Sequence, residues 1–271
     1  MNRRRKTIFL ICFTILIIFA VFVGGAIIPE TSLKADFAVK NTAPSLNHIF
    51  GTDWMGRDMF LRTIKGMSTS IMIGMASSII SVIIAVLLGT LAGTLSKYTD
   101  NVVCWLIDFV MGIPHIVLLM LISFALGRGF KGVFIGIAIT HWTSLARIVR
   151  GEVIQIKNEQ YIKISRKMGK SSFYIMKNHI IPFVFPQAIV GGILLFPHAI
   201  LHEASITFLG FGLSPESPAI GIILSESMKY ILTGYWWLAF FPGLMLVIIV
   251  ILFDILGENI KSLIDPYTSQ E

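Results

Sequence analysis

A chain of 271 residues, 55% hydrophobic and 14% charged, with a mean hydropathy of +0.81, is not an ordinary soluble domain, since those carry roughly 25% charged residues. At ~20 apolar residues per crossing it has room for about six membrane helices and short loops. The formal net charge of +7 does not point to nucleic acid, because the bases gather in segments that one topology places on a single membrane face. Cys12 and Cys104 lie inside apolar runs as small hydrophobes and imply no disulfide framework.

Arg3, Arg4, Arg5 and Lys6 precede an apolar run from Ile8 to Ile28. The run is longer than a signal-peptide core and lacks a clear small-residue cleavage site, so it reads as a retained first span with its N-terminus inside. Pro29 to Gly66 is the first polar stretch, expected outside. Within it Gly51 and Gly56 have the spacing of a phosphate-binding loop, but Arg57-Asp58 stands where Lys-Ser/Thr is required. The segment reads instead as a turn in which Thr52 or Asp53 caps a short helix and Arg57 pairs with Asp58. Ile71 to Leu95 is the second span, where Gly89 and Gly93 permit close helix contact inside the subunit. Val102 to Leu126 is the third, holding Asp108 and a kink at Gly112-Ile113-Pro114-His115. Gly132 to Val149 is the fourth, with His141 and Trp142 near its middle and Arg147 and Arg150 at its inner exit.

The longest basic stretch runs from Tyr161 to Pro182, with six Lys, Arg or His among 22 residues. Ile162, Ile164, Met168, Phe173, Ile175 and Met176 fit two short amphipathic helices separated at Gly169, which can take the left-handed conformation that ends a helix. Ser171 and Ser172 can cap the second helix, and Pro182 opens the next apolar run. Such an elbow is a handle for another protein; the plainer reading is a solvated basic loop that orients the chain. Phe183 to Phe208 is the fifth span, Leu209 to Thr233 an outer loop, and Tyr235 to about Ile255 the last span, with Asp265-Pro266 in the tail. With both termini inside, 14 of the 22 Lys and Arg fall on inner segments and eight outside, five of the eight in the first outer loop.

Enzymatic patterns do poorly. His202-Glu203 begins like HExxH, but Ile206 stands where the second histidine belongs, and the sequence has no GxSxG, CxxC or Gly-rich loop ending in Lys. Ionisable groups within spans are costly and face a bundle interior or a pathway. His198 and His202 are four apart and share a helical face, a spacing at which neutral imidazoles can hold a borderline metal such as nickel. His141 could join from the fourth span. These three and Glu203 are the candidate substrate-path residues, with His198 and His202 the candidate metal ligands; each can equally serve as a hydrogen-bond partner between helices.

Four segments resemble the permeases of dipeptide, oligopeptide and nickel ABC importers. Gly51–Asp58, GTDWMGRD, is similar to the family's "LGTD–GRD" signature. Lys163-Ile164-Ser165, then Gly169 and Pro182, occupy the register of the "EAA" loop, although the letters Glu-Ala-Ala are absent. HEASITFLGFGLSPESPAIG resembles "EA–SFLGLG–PP-P–WG", with Ile220 replacing the usual Trp, and FPGLMLVIIVILFDILGENIKSLIDP resembles the family's closing span. His141-Trp142 and Leu201-His202 match positions where the nickel permeases carry histidine.

The resemblance implies an all-α integral membrane protein of six transmembrane helices, a type I ABC importer permease (MetI-like) fold with a cytoplasmic coupling helix. Residues 1–66 would hold the tail, first span and outer loop, and 67–271 the permease core with five spans and the coupling loop 151–182. Tyr161, Lys163, Ile164, Ser165, Arg166, Met168, Gly169 and Pro182 would couple to the ATPase. The implied partners are a homologous second permease, two ATP-binding subunits, an external solute-binding protein and the lipid bilayer, with no nucleic acid. ATP and magnesium would sit on the partner subunits and no cofactor on this chain, which would be no enzyme. The location would be the bacterial plasma membrane, both termini cytoplasmic. The expected cargo is nickel or another divalent metal in chelated form; the alternatives are di- or oligopeptides, or a non-transporting scaffold that uses the elbow only for docking.

Overall fold

Helix follows hydropathy through most of the chain. The structure, a computed structural model, describes residues 3–264, so the expected Asp265-Pro266 tail lies outside the described residues. Helices α1 (Arg3–Ile27), α2 (Met59–Thr94), α3 (Lys97–Gly112), α4 (His115–Ala125), α5 (Gly129–Thr140) and α6 (Trp142–Ile156) come first in chain order. They are followed by α7 (Gln160–Lys167), α8 (Ser172–Ile175), α9 (Ile181–Phe208), α10 (Ile220–Ile231) and α11 (Trp237–Ile264). Among the described residues no β-strand forms; a lone bridge joins Thr52 and Asp58. Five helical stretches are long and apolar enough to cross a membrane, and a sixth results if the bent pair α3–α4 counts as one span.

Several boundaries differ from those expected. The third span is a sharp break, with α3 and α4 meeting at 94°. Pro114 has no amide to donate and disfavours helical backbone at the preceding residue, so Ile113 is extended and α3 stops at Gly112. The loop after α9 contains the amphipathic helix α10. α2 begins at Met59, well before the apolar run, because its cap is neither Thr52 nor Asp53 but Asp58, whose carboxylate accepts from the amides of Phe60 and Leu61 at 2.9 and 3.0 Å. Asp58 also meets His48 Nδ1 at 2.8 Å, so the expected Arg57–Asp58 pair does not form.

α2 is the central post. α1, α5, α6 and α9 all pack on it. Gly89 and Gly93 lie against α6 so closely that an added Cβ would come within 2.7 Å of a Val149 methyl and 2.5 Å of a Val153 methyl. The small residues therefore serve contact within the chain, as expected. The two ends of the bundle differ in character. At one end Arg62 reaches Asp53 at 3.0 Å and Glu226 on α10 at 2.6 Å, while Arg57 reaches Asp53 at 2.7 Å. At the other, Lys157 Nζ donates to the Gly93 carbonyl at 2.9 Å, and Arg150 Nη2 to Asp100 at 2.7 Å. Large apolar side chains such as Phe9, Leu16 and Phe19 on α1 face outward, as they do on a lipid-facing helix.

Candidate functional site

Two sites stand out: an elbow at one end of the bundle and a cavity in the bend of α3–α4. The elbow is α7, Gly169 and α8. Gly169 has φ +81° and is followed by two backbone bonds, Lys170 N–H to Ser165 O at 3.2 Å and Gly169 N–H to Arg166 O at 3.0 Å. This is a Schellman turn, which satisfies carbonyls that a helix end would leave bare. Ser171 Oγ then accepts from Tyr174 N–H at 3.2 Å and caps α8. Of the apolar residues that suggested two amphipathic helices, Ile162 and Ile175 are buried in the same core as Val153, Ile180 and Val184. Ile164, Met168 and Phe173 project outward, 56%, 72% and 67% exposed. Tyr161, Lys163, Arg166, Gly169 and Pro182 are exposed as well, whereas Ser165 is turned inward with its hydroxyl 3.5 Å from His179 Nε2. Just before Pro182, Ile181 N–H bonds five residues back to Met176 O, a π turn that makes room for the proline ring.

The cavity has a volume of about 590 Å³ and is lined by Pro114, His115, His141, Ser144, His198 and His202 among others. Three elements supply its histidines. His115 is the first residue of α4, immediately after the break; His141 is the joint between α5 and α6; His202 lies on α9. Their rings meet edge to face, with centroids 4.6 Å (His115–His141), 4.5 Å (His115–His202) and 5.1 Å (His141–His202) apart. One ligand nitrogen from each lies within 4.8 Å of the other two. His202 Nδ1 is 2.7 Å from the His198 carbonyl and His141 Nδ1 is 3.1 Å from the Ile137 carbonyl. A carbonyl only accepts, so each Nδ1 carries the proton and each Nε2 presents a lone pair.

Of the expected pair His198 and His202, the structure brings only His202 into the ring cluster. His198 contributes its backbone carbonyl, and its ring lines the cavity without joining the cluster; His115 takes its place. The sequence reading used Pro114-His115 only as a kink, although a histidine directly after a proline in an apolar run was a usable signal. Glu203 is fully buried and is held by Thr207, whose hydroxyl donates to Oε1 at 3.0 Å and accepts from Leu213 N–H at 3.3 Å. It pins the loop after α9 and is absent from the cavity wall.

A multi-pass helical bundle with a projecting elbow and an open, mostly apolar cavity edged by histidines suits a transport subunit. Residues 85–268 match the model of the binding-protein-dependent transport system inner membrane component, and the chain belongs to that family: it is a permease subunit of an ABC importer. It is 31% identical to the dipeptide transport system permease protein DppC of Bacillus subtilis (strain 168), over 94% of this chain and 80% of the relative. Its identity to the oligopeptide transport system permease protein OppC of the same organism is 32%, over 93% and 84%. A crystal structure of the MetNI methionine ABC transporter in inward-facing conformations superposes with a TM-score of 0.60 over 76% of this chain and 98% of that one. At 18% identity this likeness concerns the fold alone.

Proposed function

We propose that this chain lines the membrane pathway of a bacterial importer of small peptides, together with a homologous second permease. Two partner ATPases dock on the elbow, an external binding protein delivers the solute, both termini face the cytoplasm, and ATP and magnesium belong to the partners. The observation that supports a peptide cargo is the near full-length similarity to permeases named for dipeptides and oligopeptides. It weighs against nickel as the first choice. The elbow supports the coupling role: its exposed Ile164, Met168 and Phe173 form an apolar face that a groove on another protein can cover. Its buried Ile162 and Ile175 share a core with Val153 on α6 and Val184 on α9. A push on the elbow therefore reaches the two helices whose other parts carry His141 and His202. Rocking of α6 and α9 against α2 then opens the cavity to one side or the other.

A second reading, import of nickel or another divalent metal as a chelate, is favoured by the three-histidine cluster. One uptake experiment tests both. Cells lacking the chain are complemented with it or with Gly169→Leu, and growth on a toxic dipeptide and accumulation of radioactive nickel are followed. Restored dipeptide sensitivity that Gly169→Leu abolishes, at an unchanged membrane level, is the expected result. Full sensitivity with Gly169→Leu refutes coupling through the elbow and favours a docking scaffold. Chain-dependent nickel accumulation without a dipeptide effect puts the metal reading first.

A further inference from the structure

Three imidazoles from separate elements crowd together in the α3–α4 bend. We propose that His115, His141 and His202 form a binding site for one divalent first-row transition-metal ion of the nickel, copper and zinc class, with its remaining coordination positions open to the cavity. The inference concerns binding and holds whichever solute the importer carries.

Four observations combine. The three imidazoles come from elements far apart in sequence yet bring a ligand nitrogen each within 4.8 Å of the others. In a tetrahedral site with metal–nitrogen bonds of about 2.0–2.1 Å, ligand nitrogens sit roughly 3.3 Å apart, so closing the trio onto an ion shortens its separations by at most about 1.5 Å. Two of the ligands are already oriented by carbonyls, Ile137 O on His141 and His198 O on His202, the outer hydrogen bond that metal-binding histidines ordinarily make. For His141 that bond leaves Nε2 facing the cluster, where it meets His202 at 3.3 Å. Finally, His141 is only 6% exposed, and its Nε2 faces His202 Nδ1 at 3.3 Å, whose proton is already given to the His198 carbonyl. That contact is long, and a metal ion at this point offers the buried Nε2 a closer partner.

The donor set selects the class. Imidazole nitrogen suits nickel, copper, zinc and cobalt, whereas calcium and magnesium take oxygen. The cluster contains no carboxylate, so a dication held there needs an anion in an open position to limit its desolvation cost. The cavity beside the trio has room for chloride or for a carboxylate that enters with the ion.

The test uses the assembled transporter, purified through a tag free of histidine and placed in nanodiscs. Equilibrium dialysis against radioactive nickel chloride should give one saturable ion per copy of this subunit. His115→Ala, His141→Ala and His202→Ala should each lower the affinity by about 100-fold or more, while His198→Ala, which keeps its carbonyl, should change it by less than about threefold. Cobalt bound to the unaltered complex should show the visible ligand-field bands of nitrogen coordination, a readout independent of any variant that fails to assemble. No saturable nickel and no cobalt bands, or a loss with His198→Ala equal to that with His115→Ala, overturns the site. Dipeptide uptake by the unaltered chain is scored separately, so failure of the metal site and failure of the peptide reading are distinguishable.

Discussion

The two ends of the bundle are held by different physics. At the loop end, four charged side chains from three chain segments, Asp53, Arg57, Arg62 and Glu226, close a network whose central members Asp53 and Arg62 are almost wholly out of water. At the elbow end the shape comes from backbone geometry over a dozen consecutive residues, a Schellman turn and a serine cap, with only Ile162, Ser165 and Ile175 turned in. In the first arrangement each arginine serves both carboxylates, so removing one charge weakens every remaining pair at once. The second is built of small separable contributions and exposes the apolar surface that a neighbour must cover. One end is suited to holding its shape, the other to being pushed.

That contrast can be broken from its strong side first. Arg62→Ala removes the more buried arginine and leaves Arg57 alone to serve Asp53 and Glu226, and should cost about 3 kcal/mol of stability, read as a lowered melting temperature of the purified complex and less protein in the membrane. Arg57→Ala should cost less, since Arg57 is the more exposed arginine and Arg62 remains. At the elbow, Gly169→Ala places a Cβ on a residue with φ +81°. It should cost about 1–2 kcal/mol, with the membrane level kept and solute uptake reduced. Ser171→Ala removes only the cap on α8 and should cost about 1 kcal/mol, seen as faster proteolysis at the elbow with little change in melting temperature. If Ser171→Ala lowers the melting temperature as far as Arg62→Ala does, the two ends are not built on different principles.

How far the sequence reveals each region follows from the same contrast. The elbow was legible because its determinants are neighbours: Gly169, Ser171 and Pro182 act on their own backbone; which of its apolar residues turn in, Ile162 and Ile175, and which face out, Ile164, Met168 and Phe173, depends on packing against α6 and α9. The spans were legible from hydropathy, and Gly89 and Gly93 from their spacing. α10 was hidden because Ile220–Ile231 follows a Pro- and Ser-rich stretch and is too short to count as a span. The ion network was not legible, since Glu226 lies far along the chain from Arg57 and Arg62, and Arg57 has a nearer decoy in Asp58. The histidine cluster was half legible. His141 and His202 stood out as polar groups inside spans, but helical spacing favoured His198 as the third member, and only the sharp turn at Pro114 brings His115 to them.

The length of α2 has a mechanical side. Its 36 residues make a continuous rod about 54 Å long, well beyond the roughly 30 Å hydrocarbon thickness of a bilayer. It is bolted to the ion network through Arg62 and to the neighbourhood of the elbow through the Gly93 carbonyl. A rigid rod of that length works as a lever: a tilt of about 5° pivoting at the elbow end carries the far end through about 5 Å. Small displacements on one face of the membrane thus arrive enlarged on the other, at the loops that carry the ion network.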